Sequence, residues 1–235
     1  MQTTLQSFGI DPGWMNAMLR GSLVTLEISI SAFFLGMMIG LAVASIRLYG
    51  PAFFAKLARG YSTIFRAVPE LLLILLLFYA GTMLINKLAE ALGASNIDLS
   101  GPVVATVVLA IVQGAYAAEI FRAAIQSIPY GQIEAARAYG MSGQVVFRRV
   151  TLPIMAPNAI AGMANLWVNL VKDSALISVV GTNELLFTAK QAAGSTRQYL
   201  TYYLCAALIY YIITVLSNAA IRVFEKRMRR WMPEV

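Results

Sequence analysis

The chain of 235 residues contains no histidine and a single cysteine, Cys205. Without histidine it lacks the commonest general base, the commonest metal ligand and the usual side-chain pH switch. One cysteine also excludes a disulfide framework within the chain, and because Cys205 stands in an apolar run we interpret it as a packing residue. We therefore predict no catalytic residue and no metal site.

Charged residues are scarce as well: they make up 12% of the chain, whereas 59% is hydrophobic. A soluble domain is nearer a quarter charged and half apolar. A helix that crosses a bilayer needs about 20 predominantly apolar residues. Runs that meet this requirement lie at about 22–46, 67–86, 103–123, 153–180 and 199–221. Since helices satisfy their own backbone groups in lipid, the sequence predicts an all-α integral membrane protein with five transmembrane helices in one domain, 1–235.

The net charge of +7 comes from basic residues that are unevenly placed between these runs. If the N-terminus is outside, the external segments hold only Arg20, Lys87, Lys190 and Arg197. The cytoplasmic segments then hold Arg47, Lys56, Arg59, Arg66, Arg122, Arg137, Arg148, Arg149, Arg222, Lys226, Arg227, Arg229 and Arg230. Cytoplasmic loops carry the excess of lysine and arginine. We therefore predict an external N-terminus and a cytoplasmic C-terminus, and we attribute the charge to topology and membrane lipid, not to nucleic acid.

One amphipathic stretch separates the third and fourth runs, and it reads IEAARAYGMSGQVVFRRVTLP from Ile133 to Pro153. Good helix formers surround Glu134, Gly140 fits a helix stop, and Ser142 can cap a second short helix. The pattern predicts two short helices joined at a glycine, within residues 131–150 on the cytoplasmic side. Periodicity alone leaves three interpretations open: a helix lying on lipid, a solvated connector, or a docking element for a cytoplasmic protein.

The spacing of this stretch resembles the EAA motif (Glu-Ala-Ala … Gly … Ile-x-Leu-Pro) of permease subunits of bacterial ABC importers, with Val150 in place of the isoleucine. The resemblance extends over nearly the whole chain, to the polar amino acid uptake branch of that family. There it is closest to the histidine, lysine/arginine and octopine/nopaline "Q"-type subunits. It rests on GSLVTLEIS at 21–29, FRAVPELL at 65–72, GAYAAEIFRAAI at 114–125, LVKDSALISVVG at 170–181 and GSTRQYLTYYL at 194–204.

The resemblance implies a multi-pass protein of the bacterial inner membrane with several partners. These are a second related permease subunit, two ATPase subunits and a periplasmic or extracellular amino-acid-binding protein. It also implies that residues 131–150, here named the coupling segment, dock in a groove of the ATPase. The residues expected at that contact are Glu134, Ala135, Ala136, Arg137, Tyr139, Gly140 and Met141. The chain contains no G-x-x-x-x-G-K-[ST] motif, so we expect no cofactor in it, and ATP and magnesium to be bound by the ATPase.

Polar residues inside the apolar runs are costly in lipid and therefore need a reason. Two sets recur at helical spacing, one every four residues in the fourth run and one every three residues in the third. We predict that both sets line a substrate path: Asn165, Asn169, Asp173, Gln113, Tyr116 and Glu119. An interface with the partner permease, or a Lys172–Asp173 packing network, is the alternative for the first set.

Other ionisable residues have structural interpretations. Glu119 is spaced to pair with Arg122, and Glu70 is spaced to pair with Arg66 one turn earlier. Glu27 lies near the external end of the first run, where it can reach water. The sequence leaves open whether Glu27, Glu70 and Lys172 line a pore or serve the structure.

The function expected from these features is that of a permease subunit for ATP-driven import of polar, basic amino acids or opines, because carboxylates along the path suit a cationic substrate. A membrane scaffold without its own substrate site and an intramembrane enzyme are the alternatives. A secondary transporter is disfavoured, because no inverted repeat is evident. The polar segment 182–198 is a candidate contact for the binding protein.

Overall fold

A computed structural model of the protein describes residues 11–93 and 100–229, with the backbone alone at 224 and 226–229. Within these ranges the chain is helical and contains no β-strand, so the all-α prediction is confirmed. The α-helices are α1 Pro12–Tyr49, α2 Ala52–Ala67, α3 Glu70–Ala91, α4 Gly101–Gln126, α5 Tyr130–Ala138, α6 Gly143–Val146, α7 Leu152–Asp173, α8 Leu185–Thr196 and α9 Tyr199–Arg229. A π-helical turn, Phe147–Thr151, precedes α7, and a 3₁₀ turn, Ser174–Val180, follows it. Arg230, which entered the charge count, lies outside the described residues.

Five helical stretches of the described chain are long and apolar enough to cross a membrane, as predicted: Pro12–Tyr49, Glu70–Ala91, Gly101–Gln126, Gly143–Val180 and Tyr199–Val223. The first begins well before the predicted boundary because Asp11 caps it. The Asp11 carboxylate accepts a hydrogen bond from the Gly13 N–H at 2.8 Å, and Pro12 suits the first helical turn. At about 57 Å, α1 is longer than the apolar core of a bilayer, and it therefore extends beyond that core or lies tilted.

The centre of the bundle is α4, which packs along α1. The contact stripe of α1 consists of small residues, among them Gly36 and Gly40, which are buried. A Cβ built on Gly40 would lie 2.5 Å from Ala117 Cβ, and one built on Gly36 would lie 3.2 Å from the Ala110 carbonyl oxygen. The two backbones therefore approach as closely as small-residue packing in membranes allows. Gly36 and Gly40 are therefore helix-packing residues.

Sequence reasoning treated the chain between α1 and α3 as a cytoplasmic loop, but the structure makes it the amphipathic helix α2. Ala58 and Ser62 are buried, whereas Phe53 and Phe54 are exposed. The Tyr61 hydroxyl donates a hydrogen bond to the Ile111 carbonyl of α4. This bond fastens α2 to the centre of the bundle, and burial raises the pKa of Tyr61 to about 12.

The coupling segment contains the predicted glycine joint, but the second helix, α6, is not separate from the next span as predicted. Gly140 ends α5 with φ +78°, a left-handed conformation that glycine adopts without the cost a side chain would add. Ser142 precedes α6, although its side chain makes no capping hydrogen bond. From Gly143 the chain then stays helical through Pro153 into α7. The π turn explains why: its extra residue accommodates the proline ring, which would otherwise clash with the preceding turn.

The two ends of the bundle differ in what they contain. At one end, named the α5 end, Ile133 of α5 and Leu48 of α1 pack against a cluster that includes Ile125 of α4 and Ile128, which follows α4. At the other, named the α8 end, the start of α1 meets α8 and the start of α9. There Met18 packs beside Leu185 and Tyr202. Which end faces the cytoplasm stays a prediction.

Candidate functional site

The polar sets predicted on two separate helices meet inside the bundle at Gln113 and Asp173. The Gln113 side-chain amide donates to Asp173 Oδ2 at 3.0 Å, joining α4 to the end of α7. Gln113 is 2% exposed, and among the described residues no donor reaches its Oε1. An unpartnered buried carbonyl is costly, so this oxygen is available to a donor that the chain itself does not supply. We name Gln113, Asp173, Tyr116 and Glu70 the acidic cluster.

Glu70 belongs to this cluster, not to the ion pair predicted with Arg66. Its carboxyl group lies within side-chain hydrogen-bonding reach of Tyr116 and of Asp173. Arg66 instead pairs with Glu119, at 3.0 Å from Nη1 to Oε1. The predicted pairing fails because Arg66 ends α2 and Glu70 begins α3, with extended backbone at Val68 between them. Residues four apart share a face only within one continuous helix.

Glu119 is the centre of a second cluster, named the arginine cluster. It forms the predicted pair with Arg122, at 2.9 Å, and it also accepts from Arg66 and from Arg47 Nη1. Arg122 donates onward to Gln126 at 2.6 Å. Three guanidinium groups around one carboxylate leave a net positive charge, one turn along α4 from the acidic cluster. The cluster ties α1, α2 and α4 together.

The remaining polar residues predicted for the path lie on the outside of the isolated chain. Asn165 and Asn169 are exposed on α7, and Lys172 is exposed at its end. An apolar helix in a membrane seldom turns amides toward lipid. This face therefore suits contact with protein or with a water-filled path. Glu27 is likewise exposed, near the start of α1.

The coupling segment presents most of its predicted contact residues at the surface. Glu134, Ala135 and Arg137 are exposed, and Tyr139 is 86% exposed, a large aromatic ring with little cover from its own chain. Ala136 differs from this prediction: it is buried, because it shares the inner face of α5 with Ile133. Gly140 is exposed and Met141 half-buried.

A polar contact outside the coupling segment joins the helices on either side of it. The Asn158 side-chain amide of α7 donates to Ser127 Oγ at 2.9 Å, at the end of α4. This bond therefore holds the end of α4 and the start of α7 together.

A third polar centre, at the α8 end, was missed by sequence reasoning. The Glu184 carboxylate is fully buried and accepts from the N–H groups of Leu186 and Phe187, at 2.9 and 2.7 Å. It also accepts from the hydroxyls of Thr25 and Tyr210, at 3.2 and 2.8 Å. One side chain thus joins α1, α8 and α9. Burial raises the pKa of Glu184 above its ordinary value, although the hydrogen bonds from these donors act to lower it.

Glu184 gave little signal in the sequence because glutamate is not among the preferred N-cap residues. The neighbouring Thr182 and Asn183 are better candidates by type. Segment 182–198, the candidate contact for the binding protein, is partly covered by the rest of the chain, because Ala189 and Ala193 are fully buried. Lys190 and Gln191 form part of the exposed face that remains on α8.

These features define a class of protein. Apolar helices that can cross a membrane enclose polar clusters, and one end carries an exposed helix with a free aromatic ring. No group of side chains suited to hold a metal ion occurs in the described part of the chain. Buried ionisable residues in membrane helices mark transport pathways, so the architecture is that of a polytopic transport protein.

Comparison with protein families identifies the transport system. Residues 33–230 match the family described as the binding-protein-dependent transport system inner membrane component. The chain belongs to this family of ABC importer permease components, as the EAA spacing predicted. It is a transporter subunit and not an enzyme, since the relatives described below are named as transport permeases.

Individual relatives match the chain over almost their full length. The chain is 37% identical to the octopine transport system permease protein of Rhizobium radiobacter over 227 residues, which cover 96% of this chain and 95% of the relative. It is 35% identical to the histidine/lysine/arginine/ornithine transport system permease protein of Escherichia coli (strain K12), covering 92% and 94%.

Solved structures show the same fold. An amino acid ABC transporter crystallised with histidines matches with a TM-score of 0.76 and 28% identity, covering 92% of this chain and 95% of that one. The methionine ABC transporter MetNI, in an inward-facing conformation, matches with a TM-score of 0.77 over 93% and 99% of the two chains. Its identity of 23% supports the fold alone.

Proposed function

We propose that this permease forms part of the translocation path for ATP-driven import of basic amino acids or opines. The relatives are named for octopine and for histidine, lysine, arginine and ornithine. A cation that enters an apolar region needs a counter-charge. Asp173 and Glu70 supply two carboxyl groups at one place inside the bundle, and the Gln113 Oε1 atom offers a free acceptor beside them.

The observation that carries this proposal is the continuity between the coupling segment and α7. An exposed helix, α5, turns at Gly140 into α6, which runs through the π turn into the helix that bears Asn165, Asn169 and Asp173. A force applied to α5 and α6 would therefore displace the polar face of α7 as a rigid element. This is the arrangement needed to convert movement of an ATPase into a change of access to the path.

Membership of the family supports the following partners. A separate ATPase binds ATP and magnesium and docks on Glu134, Ala135, Arg137, Tyr139 and Met141. A second related permease subunit covers the exposed amides of α7, and an external binding protein delivers the substrate to the α8 end. We place the N-terminus outside and the α5 end in the cytoplasm, within the bacterial inner membrane.

Reconstitution tests the coupling. The chain would be combined in vesicles with its companion permease, the ATPase and the binding protein, and ATP-dependent arginine uptake measured. Gly140→Ala places a side chain at φ +78°, at a cost of about 1–2 kcal/mol, and shifts α5 relative to α6. We expect uptake to fall several-fold while membrane insertion is unchanged. Glu134→Lys, on the exposed face, should have the same effect.

Gly131→Ala is the matched control, because Gly131 lies in α5 without a positive φ and with nothing within 4 Å of an added Cβ. Uptake that responds equally to both alanines, or to neither, would contradict a role for the joint. If the subunits assemble but variants of the acidic cluster leave uptake and affinity unaltered, the chain is a scaffold whose partner carries the substrate site.

A further inference from the structure

Beyond the proposed function, the bundle contains a deep apolar groove between α1, α7 and the second half of α9. Its volume is about 920 Å³, toward the upper end of the roughly 300–1,000 Å³ of ordinary ligand pockets. The lining is almost wholly hydrocarbon and includes Phe34, Met38 and Trp167. We name it the α7 groove.

The α7 groove lies on the side of α7 that faces away from the polar residues. Ala156, Ile160, Met163 and Trp167 line it, and their spacing places them on one helix face. Asn165 and Asn169 are about half a turn away. The polar face is the one suited to a partner or a path, so the groove opens toward the bilayer.

The groove is longer than one leaflet. From Leu152 to Trp167, α7 rises by roughly 22 Å, and half of the apolar core of a bilayer is about 15 Å. The groove therefore runs from the α5 end of α7 past the middle of the membrane. An acyl chain that enters at the α5 end can lie along it.

The entrance of the groove is cationic. Arg148 stands four residues before Leu152 on the same helical path and is exposed, as is Arg149. With Gln144 and Val145 these two arginines line an open cavity of about 450 Å³. Because Leu152 lines the apolar groove and Arg148 the polar cavity, the two spaces follow each other along one turn of helix. Ser217 and Ile221 form the facing wall on α9.

We propose that the α7 groove and the Arg148–Arg149 cavity together form a binding site for one anionic phospholipid. The acyl chains lie in the groove, and the phosphate headgroup is held by the two guanidinium groups. Arginine suits the phosphate because its planar fork donates in pairs. Basic residues at the membrane surface favour anionic headgroups by about 1 kcal/mol each. A bound lipid would pack α9 against α7, where the protein leaves space.

Native mass spectrometry of the purified full chain tests the site, with phosphatidylglycerol and phosphatidylcholine offered in equal amounts. We expect the wild type to retain phosphatidylglycerol preferentially. Arg148→Gln should weaken that retention about fivefold. Arg20→Gln, which removes an exposed arginine from the α8 end, should leave it unchanged.

Variants that fill the groove provide a second test of lipid retention. Ala156→Phe and Ala164→Phe place rings in the apolar space and should reduce retention of both lipids. Ala161→Phe, on the exposed opposite face of α7, is the control. Helicity and gel filtration would confirm that each variant is folded.

Tryptophan fluorescence measures lipid contact in the groove without any substitution that fills it. With Trp14 and Trp231 replaced by phenylalanine, Trp167 is the remaining tryptophan. Brominated phosphatidylglycerol in phosphatidylcholine vesicles should quench Trp167 more strongly than brominated phosphatidylcholine does. Equal quenching, or phosphatidylglycerol retention unchanged in Arg148→Gln and Ala156→Phe, would overturn the proposal. In a complex purified with the companion permease, loss of that subunit from Ala156→Phe with lipid retention intact would also overturn the proposal, and would assign the groove to a subunit interface.

Discussion

Asp173 occupies the point where the polar faces of α4 and α7 meet, and its partners are a neutral amide and a second carboxyl group. Among the residues that the structure describes, no lysine or arginine forms an ion pair with either carboxyl group, although Lys172 lies near enough to Asp173 to interact with it electrostatically. Arg66, Arg47 and Arg122 are engaged by Glu119. Under the proposed function, the acidic cluster would meet the positive charge of the substrate.

Asp173→Asn tests that role. The variant keeps the size and the hydrogen bond to Gln113 but removes the charge. A hydrogen bond to a charged group contributes about 1.5–3 kcal/mol, so the apparent affinity for arginine uptake should fall about tenfold or more. Glu90→Gln, an exposed carboxylate near the end of α3, should leave it unchanged. Equal affinities for both variants would place the substrate site elsewhere.

Glu184→Gln tests the polar centre at the α8 end. Glutamine has one acceptor oxygen, whereas Glu184 accepts through both of its oxygens, so the part-buried N–H of Leu186 or Phe187 is left unpaired. A buried unsatisfied donor costs about 1–3 kcal/mol, and we expect a lower unfolding temperature in detergent. The matched change at an exposed carboxylate, Glu27→Gln, should have little effect. A stability unchanged in both would show that the centre does not hold α1, α8 and α9 together.

At the scale of elements, the contact between α1 and α4 decides how the bundle is packed. Gly40 lies against Ala117, and the added methyl group of Gly40→Ala would meet Ala117 C at 2.9 Å. Backbone cannot yield as a flexible side chain does, so the helices must separate. We expect a loss of about 1–3 kcal/mol of stability, measured by thermal unfolding.

Gly81→Ala is the control for that change, because a Cβ at Gly81 of α3 meets nothing within 4 Å. There alanine should stabilise the helix slightly, by about 0.5–1 kcal/mol. Similar losses at both positions would indicate that helix propensity, not the α1–α4 contact, sets the outcome.

The elements also show where sequence reasoning reaches its limit. Apolar runs and a glycine joint were predicted from composition and spacing, and both are found. The continuity of α6 with α7 was not predicted, because a proline in the sequence ordinarily marks the start of a helix. Here the π turn at Phe147–Thr151 keeps the helical path unbroken. Such a turn depends on how the surrounding helices hold the backbone.

For the molecule as a whole, the basic residues predict which end lies inside the cell. Labelling with a membrane-impermeant maleimide tests this, after Cys205→Ser removes the natural cysteine. Arg20→Cys should react in intact cells, since Arg20 is exposed at the α8 end. Arg137→Cys, exposed on α5, should react only after the membrane is permeabilised.

Lys190→Cys checks the fold in the same experiment. Gly21, next to Arg20, lies so close to α8 that a Cβ there would be 3.0 Å from Thr188 Oγ1. Positions 20 and 190 must therefore react from the same side. Labelling of 137 but not of 20 in intact cells would reverse the predicted orientation.

The sequence alone determined the membrane class, the number of spans, the family and the two polar sets. These follow from periodicity, apolar length and motif spacing, which act within one helix. Tertiary structure decided which polar groups meet: Gln113 with Asp173, Arg66 with Glu119 in place of Glu70, and Glu184 with Thr25 and Tyr210. Those contacts join helices distant in the chain, and their geometry depends on crossing and close packing that no local pattern records.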